Sequence, residues 1–160
     1  MNQESRAAIV KGLTELIVNG NAHVSLTDAI ADLPKNLRTE IPANLPYSIW
    51  QLIEHMRIAQ KDIVDFSESG EFEKLNWPDD YWTPNVAEVE DDVWEQSLND
   101  IEADQNRFFH ILNDTNPDLF KPFEWGEGQT LFREATLIAD HNAYHTAEIV
   151  VIRRLLGTWK

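Results

Sequence analysis

Two histidines, His141 and His145, stand four residues apart in the stretch LIADHNAYHTAEIVVIRRLLGTWK. On a helix, positions i and i+4 lie over one another, so both imidazoles can reach one point beside the helix. Two neutral imidazoles at that spacing can chelate one divalent ion at about 2.0–2.1 Å. They could equally be two part-buried histidines that bond locally. The motif is not HExxH, because Asn142 follows His141, and a zincin-type protease is therefore not indicated.

A third histidine adds weight to the metal reading. His55 sits within QLIEHMRIAQ, between Leu52 and Ala59, on or beside an apolar helical stripe. Burying a lone imidazole costs free energy unless a partner satisfies it. If the helices carrying His55 and the HxxxH pair face each other, the three nitrogens form a set with room for one further ligand. That is the arrangement of a catalytic centre, not of a closed structural one. Glu148, seven residues after His141, shares its face and could orient a ligand or act as a base; a salt bridge to Arg57 or Arg153 is the plainer alternative. Glu54 and Asp140 each adjoin a candidate histidine, but successive helix positions differ by about 100° and so face elsewhere. Tyr144 could offer a hydroxyl, and Trp77, Trp82 and Trp125 could line an apolar pocket. His23 reads as a surface or helix-end histidine, and His110 as packing or solvent-facing.

Four helical segments must position these residues. The first spans roughly 4–18, with Ala8, Ile9, Leu13, Leu16 and Ile17 at spacings of three and four, and Gly20 ends it. A short turn follows in SLTDAIADLP. The second begins at Ser48 with Gln51 three residues on, a capping-box pattern, and buries Ile49, Leu52, Ile53, Met56, Ala59, Ile63 and Phe66. The third runs roughly 89–113, with Val93, Leu98, Ile101, Phe108, Ile111 and Leu112 as its stripe. The fourth runs roughly 131–156 behind Thr130 as N-cap, and Arg153 and Arg154 complement its dipole before Gly157. Between the second and third lies a connection of about twenty residues rich in aromatics, long enough to be functional or packed by its own side chains. No segment alternates with a strand's period of two. The expected fold is all-α, a four-helix bundle in a single domain over residues 1–160.

Bulk properties narrow the partners. The 160 residues carry a net charge of −15 and are 42% hydrophobic, with a pI of about 4.5. Such charge repels phosphate backbones and anionic membranes, so neither nucleic acid nor membrane is expected as a partner. With no cysteine, any metal must be held by His, Asp, Glu or water. The N-terminus has no signal-peptide core and no window is apolar enough to span a membrane, which gives a cytoplasmic expectation.

The stretches LPYSIWQLIEHMRIAQKDIVDF, LNWPDDYW and REATLIADHNAYHTAEIVVIRRLLGTW resemble the DinB-like superfamily, and the resemblance covers nearly the whole chain. It implies a four-helix bundle with an up-down-down-up path, often a homodimer. It also implies a divalent metal, zinc or nickel, on His55, His141 and His145. Relatives include S-transferases that use a low-molecular-weight thiol such as bacillithiol or mycothiol, and a mycothiol-dependent isomerase. One departure is Ala147, where many relatives carry glycine. The function so implied is a metal-dependent enzyme, a transferase acting through a thiol or a hydrolase acting through water, on a small-molecule substrate. The alternative is a non-catalytic metal- or small-molecule-binding stress-response protein.

Overall fold

A computed structural model describes residues 1–159. Among them the chain is all-helical, with α1 (Gln3–Asn19), α2 (Leu26–Ile30), α3 (Ile49–Glu68), α4 (Asp91–Asn113) and α5 (Leu131–Leu155). Single 3₁₀ turns occur at Lys35–Leu37 and Asp79–Tyr81. No helix is long and apolar enough to cross a membrane among the described residues.

The helix starts are built from side chains. Ser48 accepts from the Gln51 N–H, and the Gln51 side chain accepts from the Ser48 N–H, so two otherwise free donors of α3 are satisfied. Asn2, Ser25 and Thr130 cap α1, α2 and α5 from one side only, each accepting from the N–H three residues on. Each such cap is worth about 1 kcal/mol. α1 ends at Gly20, whose φ of 64° is left-handed, and a Cβ there would stand 2.3 Å from the His23 ring. Only glycine fits both demands.

Cross-helix pairs fix directions. Ser97 bonds Glu54, the Gln60 amide donates to the Ile101 carbonyl, and Arg107 bonds Asp65, so α3 and α4 run side by side in the same sense. α5 runs back along α3: Tyr47, just before α3, bonds Glu148, His55 lies opposite His141, and Asp62 and Phe66 lie beside Arg133 and Glu134. α1 packs on α5 and touches α4, and α2 covers α5.

The apolar core has two parts. One joins Val10, Leu13 and Ile17 of α1 to Val64, Phe108, Leu112 and Ile138. The other joins Leu52, Ile53 and Met56 to Trp94, Ile101, Ile149 and Ile152. Between them α3 and α5 contribute a layer of buried polar side chains: His55, Gln60, Asn142, His145 and Thr146. Polar groups in such a layer cost free energy unless they are hydrogen-bonded or bind something.

Three stripe positions need correction: Ala8 and Leu16 of α1 are exposed, Val10 being buried on that helix, and the third lies in α4. Val93 is 48% exposed, and Trp94 is buried in its place. Trp94 packs against Trp50 and beneath the Arg38 guanidinium, a large aromatic surface that outweighs one valine. Arg153 also does more than complement a dipole. It is buried and donates to the carbonyls of Ala29, Ala31 and Thr158, tying α2 and the C-terminal turn to α5.

Candidate metal centre

His55, His141 and His145 come together, each offering one ring nitrogen, and these atoms lie within 4.8 Å of one another. The Nε2 atoms of His55 and His141 are 3.1 Å apart. Nitrogens sharing one tetrahedral ion at about 2.0–2.1 Å would stand roughly 3.3–3.4 Å apart, so this pair needs little adjustment. The set spans two helices: His55 from α3, the pair from α5.

Their outer nitrogens decide which atoms are free. His55 Nδ1 lies 2.9 Å from the Tyr81 carbonyl oxygen, which can only accept. The proton is therefore on Nδ1, and in the neutral ring Nε2 keeps its lone pair. His145 Nδ1 lies 2.7 Å from Glu148 Oε2 and donates to it, which again directs Nε2 inward. Glu148 in turn accepts on Oε1 from the Tyr47 hydroxyl. Burial, then the Glu148 carboxylate, pushes the Tyr47 hydroxyl well above its ordinary value, so it stays a donor. His141 Nδ1 is buried and has no hydrogen-bond partner.

Two of the rings, His141 and His55, are held neutral. Burial, followed by the His145 and His55 imidazoles, lowers His141 from 6.5 to about 4. Burial also lowers His55, against the opposing pull of the Tyr81 carbonyl. Neutral imidazole is the form that ligates a metal, so no proton need be displaced near pH 7.

The aromatic connection fixes this geometry. It docks along α3 through Gln51 to the Thr83 carbonyl, Ser48 to Asn85, and the Tyr81 hydroxyl to Asp62 at 2.6 Å. Trp82 lies flat on His55, with ring centroids 4.0 Å apart and planes 4° apart, and Tyr47 stacks on its other side at 5.6 Å. Trp82 thus holds a histidine ring in place. Trp77 is 70% exposed and stands 6.4 Å from the His55 ring. Tyr144 is exposed at the rim, its ring edge-on to His145. Trp125 is not brought to the histidines: its indole N–H donates to the Phe66 carbonyl, three turns further along α3.

Glu148 pairs with His145, not with Arg57 or Arg153. Arg57 is engaged by Glu54 through two bonds of 2.9 and 2.8 Å. Glu54 and Asp140 face away from the three rings, Glu54 toward Ser97 of α4 and Asp140 to solvent. His23 and His110 are exposed. The residues that sequence reasoning missed are Tyr47 and Tyr81. Tyr81 acts through its backbone carbonyl, for which no side-chain signal exists. Tyr47 had one: it immediately precedes the Ser48 cap, where a side chain lies at the mouth of the helix pair.

No family model matches the sequence, and neither a curated protein nor a solved structure matches it.

Proposed function

We propose that the chain is a metal-dependent enzyme of the DinB-like type, with His55, His141 and His145 holding one divalent ion, zinc or nickel. One observation carries this reading. Three imidazoles converge, and two have their outer nitrogens tied to acceptors that turn the inner nitrogens toward the same point. The parallel α3 and α4, the long connection between them and the returning α5 support an up-down-down-up four-helix bundle.

A divalent ion in such a set lowers the pKa of a thiol or water brought to it, making the deprotonated form available near neutral pH. The residues of the chain supply the rest. Glu148 fixes the His145 tautomer and strengthens it as a donor, and Tyr47 fixes Glu148. Trp82 and Tyr81 hold the His55 ring in plane and in rotation. Half-buried His141 and exposed Tyr144 and Trp77 leave the centre reachable from one side, where a small substrate or a low-molecular-weight thiol would approach. The exposed indole of Trp77 offers that substrate an apolar surface.

The test is turnover. Zinc- or nickel-loaded protein is incubated with an electrophile and a low-molecular-weight thiol, and separately with ester and amide substrates. Thiol consumption or hydrolysis that disappears in His145→Ala supports the enzyme. Equal turnover by the wild type and by folded, metal-free His145→Ala would overturn it.

A further inference from the structure

A second site lies in the groove between α3 and α5, two turns beyond the histidines. Asp62 stands seven residues after His55 on α3, and Glu134 seven residues before His141 on α5. Each is therefore about 10 Å along its helix from the histidine, at 1.5 Å per residue. A pocket of about 190 Å³ opens there. Phe66, Phe72 and Leu137 give it an apolar wall, and Asp62, Arg133 and Glu134 give it charge. Phe72, from the aromatic connection, meets Phe66 edge-on with ring centroids 5.3 Å apart.

Glu134 points to a ligand. Its side chain is 2% exposed, yet its one partner is the adjacent Arg133, itself 54% exposed, which bonds only Oε1, at 2.7 Å. Oε2 accepts from no group among the described residues, and unlike the partnerless Asn142 Oδ1 it is not sealed from solvent. It opens on the pocket that Glu134 lines. Glu54, the other deeply buried glutamate, has both oxygens answered by Arg57. A carboxylate buried with one oxygen unanswered costs free energy that a cation at that oxygen recovers. Burial, against the pull of Arg133, raises Glu134 above its ordinary value, and Asp62 adds to the rise. Asp62 carries the second negative charge. Its Oδ2 accepts from the Tyr81 hydroxyl, a neutral donor, and its Oδ1 takes no bond among the described residues. Arg133 offsets one of the two carboxylates, so the pocket keeps one negative charge.

We propose that this pocket binds a primary ammonium group carried on a single aromatic ring. The ammonium donates to Glu134 Oε2 and faces Asp62. The ring packs on Phe66, Phe72 and Leu137, where aromatic pairs add to simple burial. Size sets the limit: an apolar cavity of about 150 Å³ holds one benzene, so this pocket takes one ring on a short arm. An anion is repelled by the carboxylates, and a neutral alcohol leaves Glu134 unpaired. The site does not depend on a metal at the histidines.

Titration of the full chain with benzylamine, followed by NMR chemical shifts, tests this beside benzyl alcohol, benzoate and ethylamine. The expected result is saturable binding of one benzylammonium per chain, about tenfold or more tighter than the alcohol or ethylamine, and no binding of benzoate. Glu134→Gln should weaken it about tenfold or more. Phe72→Ala lies outside the helices and should weaken it about threefold, with the bundle unchanged by circular dichroism. Glu4→Gln removes an exposed charge elsewhere and should leave it unchanged. Should Glu134→Gln fail to fold, Phe72→Ala decides. No saturable binding, or full binding retained by either folded pocket variant, would overturn the inference. Equal weakening in Glu4→Gln would also overturn it, since the effect would then be that of net charge.

Discussion

Glu54 and His55 are neighbours in sequence, and each belongs to a buried polar cluster. The two clusters are built on opposite principles. Around Glu54 every strong group is answered: both carboxylate oxygens accept from Arg57, and Ser97 of α4 adds a third bond at 2.7 Å. Around His55 the outer nitrogens of His55 and His145 are answered, that of His141 is not, and the inner ones face each other. The first cluster is closed and serves to lock α3 to α4. The second spends its hydrogen bonds on orientation and keeps its lone pairs for something else. Burial of polar residues thus does not mark a site; the direction of their unmet valence does.

This contrast can be broken from either side. The largest expected effect is on the closed cluster. Glu54→Ala strands the half-buried Arg57 and removes the Ser97 bond across the helices, so it should cost about 2–3 kcal/mol in urea unfolding while metal content is unchanged. Loss of metal in that variant would show that the clusters are not separate. On the histidine side, Glu148→Gln should lower zinc affinity by about 10–100-fold in a chelator competition, with little change in unfolding midpoint. A midpoint that falls while affinity holds would make Glu148 a structural residue.

Acid distinguishes the clusters next. His141 titrates at about 4 when folded against an ordinary 6.5, so the unfolded chain takes up its proton first. The contribution of His141 to the stability of the metal-free protein is then full above pH 6.5 and is lost as pH drops toward 4. Denaturant midpoints between those limits should slope less steeply in His141→Asn; an unchanged slope would remove burial of a neutral His141 from the account. The smallest effect belongs to Tyr47→Phe. It removes one bond to Glu148, and should weaken zinc binding by less than about tenfold, an ordering Glu148→Gln should exceed.

How much of this was legible in the sequence follows from what each signal encodes. The starts of α3 and α5 were readable because Ser48, Gln51 and Thr130 act on residues three positions away. The histidine pair was readable because helical spacing alone puts His141 over His145. The choice of Trp94 over Val93 was not, since it depends on Trp50 and Arg38, which are distant in sequence. That Glu148 could orient a ligand histidine was readable; which histidine it takes was not. Spacing placed it on the face of His141, but the bond formed is to His145, three residues before it, while the other carboxylate oxygen accepts from Tyr47. The roles of the tryptophans required the path of the 69–90 connection, which is set by hydrogen bonds to α3 and not by periodicity.

The central claim is that the inner nitrogens of three histidines are ligands. It is tested most directly by the metal content of untagged protein, measured by mass spectrometry beside His141→Ala/His145→Ala, both shown folded by circular dichroism. About one zinc or nickel ion per chain in the wild type and none in the variant is the predicted result. Wild-type protein that stays metal-free after incubation with both ions, or a variant that retains its ion, would contradict it.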